Sequence, residues 1–598
     1  MRLSDYVMKT LADKGVDTAF LVTGGMAMFL NDALAGEPRI QPVCCHHEQG
    51  AAYAGEGYGH FTGRPALVCV TAGPGAINTL SGVFGAYVDS VPMIVLAGQT
   101  KSELLRSTYN FVPNPRQLGE QEVDSVAMAA PVTKYANRVT DPSRVRFELE
   151  KAFFIATSGR PGPVWLEIPT DVQSASVEPE ALASFKEYFS PPQDLSSIAG
   201  DIVSRWKKAL RPLVVIGQGV REAGAILDFE RAVGQLGCPV VAAGPIDGVT
   251  TDHPQYAGRI GGLGTRAGNI TLQNSDFILF VGFRCYLTQV TYNWQAMGRN
   301  AHKIMVDDDP LEFEKPCQIG DELVLAETKQ FLEALAKAGS DYDASVQADW
   351  LKNCRELVNK FPPVSAEMRV VSSDGRINPY FFVEELFKRL TENDIVVSSN
   401  ASSSIIPIQA GAFRRGQRFF SNLGCGAMGF GLPAAIGTAV AVKNRRVVAF
   451  EGDGSLMMNL QELETLASNR LNIIVIIFEN NGYVSIKNTQ KGFFGRELGC
   501  GPDSGVSLPD FNKIAVAFGI PSLEVSGRDF QKQLDRIVGS TGPLVLVARL
   551  DPEQPFEPKV ASRRLDDGTI VSSPPEDMSP FLPREELLPL LFNPLKED

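Results

Sequence analysis

Two short polar loops, set 27 positions apart, restrict this chain to a small set of folds. The first is Glu451-Gly452-Asp453-Gly454-Ser455 and the second is Asn480-Asn481-Gly482-Tyr483. Between them lie one helix-like segment, Leu460 to Asn469, and one strand-like run, Ile473-Ile474-Val475-Ile476-Ile477-Phe478. A strand–loop–helix–strand unit opens both loops at the carboxyl edge of a parallel sheet, where open α/β sheets bind ligands. A Gly-Asp-Gly turn lets backbone N–H groups approach phosphate closely. A carboxylate and an amide oxygen are hard donors suited to Mg²⁺. Asp-Gly and Asn-Gly are also ordinary turn dipeptides, and either alone reads as a turn. Their spacing and the flanking strands favour a cradle for Mg²⁺ and a diphosphate.

The same strand–helix alternation occurs in three regions, so the expected class is α/β with three doubly wound parallel sheets. The regions are 1–175, 196–340 and 376–551. The first holds strands near Thr18–Val22, Ala66–Thr71, Pro92–Gly98 and Val164–Ile168. Ser174 to Ser196 reads as a linker, and a polar helix over Asp341 to Asn359 precedes the third region. Residues 552–598 read as an acidic, Pro-rich surface arm with one short helix. A length of 598 residues suits three to four domains of roughly 150–200 residues. A net charge of −13 without long runs of one sign argues against a nucleic-acid partner. No apolar run reaches the ~18 residues of a membrane span, and the N-terminus enters an amphipathic helix with no signal peptide, so a cytoplasmic location is expected. The nine cysteines are scattered without Cys-x-x-Cys and read as thiols; five histidines are too few and too dispersed for a metal cluster.

Three further stretches belong with the two loops. His46-His47-Glu48-Gln49-Gly50-Ala51-Ala52 opens a helix whose small residues suit close packing. Read alone, Glu48 is a first-turn carboxylate on a helix dipole, worth ~0.3–1 kcal/mol. Thr71-Ala72-Gly73-Pro74-Gly75-Ala76-Ile77-Asn78 is a turn between strand and helix. Ser421-Asn422-Leu423-Gly424-Cys425-Gly426-Ala427-Met428-Gly429-Phe430-Gly431 is a second Gly-rich loop, and on composition Met428 is a core residue.

Together these stretches resemble the thiamine diphosphate (ThDP) enzymes, and the His-Glu-Gln-Gly-Ala segment resembles the acetohydroxyacid (acetolactate) synthases. The resemblance covers about 1–551. It implies a pyrimidine-binding domain (1–175), a central FAD-type domain (196–340), a diphosphate-binding domain (376–551) and a tail. Asp453, Asn480 and the carbonyl of Gly482 would hold the metal, with Gly452, Gly454 and Ser455 in the diphosphate loop. Glu48 would bond N1′ of the aminopyrimidine from a dry pocket that keeps its carboxyl partly protonated. Pro74 and Asn78 would flank the pyrimidine, Met428 would wedge between the two rings, and Gly426 of the same loop would contact the cofactor. Since Glu48 and Asp453 lie in different domains, the family builds each site between subunits, implying a homodimer or homotetramer.

The middle region carries Ile216-Gly217-Gln218-Gly219, Gly261-Gly262-Leu263-Gly264, Val281-Gly282-Phe283-Arg284 and Val306-Asp307-Asp308. Each ends a strand-like run. They resemble the FAD-binding loops of the same family, which implies flavin contacts from Gly217, Gly219, Gly264, Gly282, Arg284 and either Asp307 or Asp308. The bland alternative is a vestigial domain with turn glycines.

The implied chemistry is decarboxylation of pyruvate and transfer of its two-carbon unit to a second carbonyl. Gly25 N–H and Gln121 are candidates to steady the developing oxyanion. The family's acceptor-pocket Trp falls on Thr489, its preceding Gly-Met-Val on Val484-Ser485-Ile486, and its Pro-Gly-Gly-Ala on Thr23-Gly24-Gly25-Met26. Met26, Ile486 and Thr489 are therefore substrate-pocket candidates. The segment through Gln490 and Pro575-Glu576-Asp577-Met578 resemble flavin-containing carboligases of branched-sugar biosynthesis, whose acceptor is a nucleotide-linked ketosugar. Acetolactate formation or transfer to a bulkier ketone stands first, with acetyl transfer from pyruvate to a nucleotide-linked ketosugar and a flavin-dependent pyruvate oxidase as the alternatives.

Overall fold

The computed structural model describes residues 1–592 apart from 112, 114, 189–192, 244–246 and 565–566. Three six-stranded parallel sheets follow one another. The first contains β1 (Thr18–Leu21), β2 (Gln41–Cys44), β3 (Ala66–Val70), β4 (Met93–Gln99), β5 (Tyr135–Arg138) and β6 (Pro163–Pro169), in spatial order 2-1-3-4-6-5. The second contains β7 (Pro212–Ile216), β8 (Val240–Ala243), β9 (Tyr256–Ile260), β10 (Phe277–Val281), β11 (His302–Asp307) and β12 (Glu322–Leu325), in order 9-8-7-10-11-12. The third contains β13 (Ile395–Ser398), β14 (Arg418–Ser421), β15 (Val447–Gly452), β16 (Ile473–Glu479), β17 (Ser522–Val525) and β18 (Leu544–Arg549), in order 14-13-15-16-18-17. The first and third sheets thus share one permutation. The middle sheet has the doubly wound order of dinucleotide-binding domains.

The apolar runs form strands because both faces of each sheet are covered. In β16, Ile474, Ile476 and Phe478 enter one layer with Phe382 and Phe450. Ile473, Val475 and Ile477 enter the other with Leu463 and Leu466. Helix Glu48–Thr62 of the first domain crosses helix Gly431–Val442 of the third without intervening side chains. A Cβ on Gly57 would lie 2.1 Å from the Ala434 carbonyl oxygen, and one on Gly437 would lie 1.8 Å from that of Ala54.

Two expectations need correction. The segment after Ser174 is no free linker, because Val177 and Leu182 are buried on the first domain and Val177 N–H donates to the Met1 carbonyl. The tail is no surface arm. Glu576, Asp577 and Met578 are buried, with Glu576 paired to Arg299 and accepting from Gln273 Nε2 at 2.6 Å. Acidic, Pro-rich composition signals disorder only when no partner charge is supplied, and here the middle domain supplies it. The short helix is Arg584–Leu587. The helix before the third domain runs Ala348–Lys360, shorter than the polar segment suggests. All nine cysteines are free thiols. Among the described residues no helix is long and apolar enough to cross a membrane.

Candidate active site

Each sheet's permutation creates a crevice where neighbouring strands connect in opposite directions. In the third sheet that point lies between β13 and β15, whose carboxyl ends are Ser398 and Gly452. Asp453 follows at once and is fully buried. Its Oδ1 accepts from Gly454 N–H at 2.7 Å, and its Oδ2 accepts from Asn480 and Gly482 N–H, both at 3.0 Å. One carboxylate therefore clamps the loops after β15 and β16. Burial pushes its pKa up to about 7, and the three backbone donors hold it from rising further. A buried carboxylate with this much charge penalty is poised to take a cation.

One pocket of about 550 Å³ contains Gly426, Met428, Gly452, Asp453, Gly454, Ser455, Asn480, Gly482, Ile486 and Thr489. Ile486 and Thr489 lie on helix Val484–Phe494 and form one wall. Met428 is half exposed into this space, and a Cβ on Gly426 would meet nothing. The hard oxygen donors and the open Gly-rich rim fit a Mg²⁺-bound diphosphate. Ser399 and Asn400 also line the pocket. Sequence reading missed them, although the polar step after Ile395-Val396-Val397 at a strand's carboxyl end was an available signal.

The first-domain candidates gather at the corresponding crevice, between β1 and β3. Asn78 Nδ2 donates to Glu48 Oε2 at 3.0 Å, and Met26 N–H donates to Thr71 Oγ1 at 3.2 Å. The Gln121 backbone, at φ +55°, abuts Gly73. Pro74 occupies the first turn of helix Pro74–Val88. Gly25 and the Gln121 side chain are exposed beside this group. The dry pocket expected around Glu48 is not formed within one chain, where Glu48 is only half-buried. Among the described residues, none of the first domain, Met26 included, lines the Asp453 pocket. Neighbouring Glu122 organises the loop that carries Gln121: its carboxylate accepts from the N–H groups of Arg106, Leu118 and Gly119. Glu462, also absent from the sequence reading, accepts from His46 and His47 N–H at 3.1 and 3.0 Å and so fixes the entrance to the Glu48 helix. Its partner lies 416 positions away, which no local pattern reveals.

In the middle sheet the crevice lies between β7 and β10. Gly217, Gly219, Gly282, Arg284, Asp307 and the exposed Asp308 line one cleft there. Gly264 stands apart, in a turn over Arg259 beside a smaller apolar cavity. The glycines have a packing reason of their own: a Cβ on Gly217 would lie 1.9 Å from the Gly282 carbonyl oxygen. Asp307 is pushed up to about 7 by burial, against the pull of Asp309 N–H. Its carboxyl at a strand end suits ribose hydroxyls, and Arg160 and Arg284 bring cations for a diphosphate.

Comparison with known proteins agrees with this geometry. Family models of thiamine pyrophosphate enzymes match in order: the N-terminal TPP binding domain over residues 1–128, the central domain over 200–335 and the C-terminal TPP binding domain over 402–548. The large subunit of acetolactate synthase isozyme 1 from Escherichia coli (strain K12) is 30% identical over 567 residues, covering 93% of this chain and 95% of that protein. The isozyme 2 large subunit from the same organism is 30% identical, covering 92% and 96%. A probable acetolactate synthase large subunit of Methanocaldococcus jannaschii is 28% identical, covering 93% of each chain. The three crevices, the Asp453 clamp and these matches make this chain a thiamine-diphosphate-dependent enzyme of the acetolactate synthase family.

Proposed function

We propose that the enzyme decarboxylates pyruvate and transfers the two-carbon unit to a second carbonyl, either another pyruvate, giving 2-acetolactate, or a bulkier ketone. One observation carries this reading: a single pocket joins the Asp453 clamp to a wall of Ile486 and Thr489, so metal, diphosphate and acceptor share one space. ThDP supplies the electron sink for loss of carbon dioxide. Asp453, Asn480 and the Gly482 carbonyl would hold Mg²⁺ and with it the diphosphate, and Met428 would pack against the cofactor's rings. Glu48, oriented by Asn78, holds the proton at N1′ of the aminopyrimidine. Gly25 N–H and Gln121 would steady the developing oxyanion. Since Glu48 lies outside the Asp453 pocket, we assign the complete site to two subunits of a homodimer or homotetramer, acting in the cytoplasm.

The middle-domain cleft is assigned to FAD. Its position at the doubly wound crevice, with Asp307 and Arg284 on its walls, supports that choice. The short Thr489 side chain on the pocket wall favours acceptors larger than pyruvate. The test is incubation of purified protein with ThDP, Mg²⁺ and [2-¹³C]pyruvate, with and without a cyclic ketone, and product analysis by NMR. Labelled acetolactate or a labelled branched adduct is expected. Labelled acetate formed with reduction of an added dye would make it an oxidase instead, and no turnover of pyruvate would refute the reading.

A further inference from the structure

Three domains meet at one carboxylate. Asp89 caps helix Pro74–Val88 of the first domain, and its side chain is 9% exposed. Gly424 N–H, from the loop that leads to Met428, donates to both its oxygens at 3.0 and 3.2 Å. Arg284 of the middle domain reaches it at 3.3 Å, donates to the Val88 carbonyl and stacks 4.6 Å above the Tyr286 ring. The fit leaves no slack: a Cβ on Gly424 would lie 2.4 Å from Asp89 Oδ1 and 3.1 Å from Arg284 Nη2.

Beyond Gly424 the loop is also held within the third domain: Ala427 N–H donates to Asn422 Oδ1 at 3.5 Å, Gly429 N–H donates to Ser455 Oγ at 2.8 Å, and Asn459 Nδ2 donates to the Gly429 carbonyl at 2.9 Å. Gly426 N–H donates to the Asn422 carbonyl at 2.7 Å, and Asn400 Nδ2 donates to the Gly426 carbonyl at 3.3 Å. Asn422 is tied to buried Glu56 at 2.7 Å. Met428, four residues past Gly424, projects half exposed into the Asp453 pocket. Arg284 and Asp89 also line the middle-domain cleft. An anionic occupant of the cleft would draw on the same guanidinium that pairs with Asp89, and Asp89 accepts from Gly424 N–H.

We infer that Asp89 is a positioning residue that couples occupancy of the middle-domain cleft to the placement of Met428 in the Asp453 pocket. The inference rests on assigning the cleft to FAD and the pocket to ThDP. It gives the flavin a role in a reaction with no net redox change: Arg284 would divide its charge between Asp89 and the bound flavin, and Gly424 would carry that change to the loop that shapes the thiamine site. Linkage requires reciprocity, so ThDP must alter FAD affinity by the factor by which FAD alters ThDP affinity.

The experiment uses full-length protein in Mg²⁺, stripped of flavin and then reloaded. FAD uptake is scored by absorbance after gel filtration, and ThDP affinity by calorimetric titration with and without saturating FAD. Wild type is expected to show a FAD-dependent change in ThDP affinity of about 5- to 150-fold, the range of ordinary coupling between sites. Asp89→Ala should still take up FAD, yet its ThDP affinity should be the same with and without it. Asp89→Asn keeps an acceptor for Gly424 but gives up the charge facing Arg284. It guards against misfolding of the alanine variant and should lose most of the dependence. A purely structural Asp89 would lower stability and leave the coupling factor intact. Retention of the wild-type factor in either variant overturns the proposal, as does a wild type that binds both cofactors independently. A wild type that takes up no FAD refutes the flavin assignment, and the coupling falls with it, a failure the absorbance record separates from the others.

Discussion

Metal affinity should depend on pH through Asp453. This carboxyl sits at about 7 in the metal-free protein because burial penalises its charge more than three N–H donors relieve it. Mg²⁺ needs the carboxylate, so binding must expel a proton wherever the pH is below that value. Apparent affinity then scales as 1/(1 + 10^(7−pH)), which is nearly flat above neutrality and falls tenfold per unit below it. Between pH 8 and pH 5 the expected loss is about 90-fold. The sign for stability is opposite. The folded-state pKa lies above the unfolded value near 4, so between the two the native state holds a proton that the unfolded chain releases. On this group's account, metal-free protein loses stability as pH rises from about 4 to 7, by roughly 1.4 kcal/mol per unit or about 4 kcal/mol in all, and metal restores it. Electron paramagnetic resonance of Mn²⁺ bound without ThDP reads the affinity directly, since no cofactor phosphate then titrates. Asp453→Asn keeps the shape but cannot titrate in this range, so it should bind metal weakly with little pH dependence. A wild-type change below threefold across pH 5–8, or the wild-type slope retained in Asp453→Asn, would refute the assignment.

Other outcomes follow from the same geometry. Glu48→Gln should keep ThDP binding but slow turnover by roughly 10²–10⁴-fold, the loss typical of removing a proton-transfer partner, as read by steady-state pyruvate consumption. Thr489→Trp refills the pocket wall and should lower kcat/KM for a cyclic ketone acceptor more than for pyruvate, at ~1–3 kcal/mol per mismatched methylene; an unchanged ratio removes Thr489 from the acceptor site. Gly57→Ala drives a methyl into the Ala434 backbone and should destabilise by about 1–3 kcal/mol or more in urea unfolding. Gly492→Ala, in a helix with open space around it, should be neutral or stabilise by about 0.5–1 kcal/mol, so equal effects of the two would undo the seam argument.

The parts of the site legible in sequence are those carried by local spacing. The 27-position interval between Asp453 and Asn480 spans one β–α–β unit, and the hydrogen bond between them is the direct product of that unit. The apolar runs announced buried parallel strands, because both faces of β16 need apolar cover. Residues whose partners lie in another domain were not legible. Glu462 reads as a helix residue until His46 arrives from 416 positions earlier, and Asp89 reads as a helix end until Gly424 meets it across 335. Glycines carry two explanations at once. Gly219 and Gly282 read as openings for a ligand, and each also makes room for the other's backbone, so ligand and packing explanations share one sequence signature. The tail departs from its composition because composition reports average solvation and is blind to specific partners such as Arg299 and Arg266.

The docking of the tail on the middle domain bears on how the enzyme is made. The contact between Gln273 and Glu576 spans 303 positions. A ribosome adding roughly 5–20 residues per second needs about 15–60 seconds to travel that distance. For all that time the middle domain lacks the Glu576 contacts, and the face under Met578 lacks its cover, while the third domain is still emerging. The last segment to appear thus closes a surface that one of the earlier segments opened. Shortened chains ending before Glu576 should be read first as proteins with an unfinished middle domain, whatever their third domain can still do.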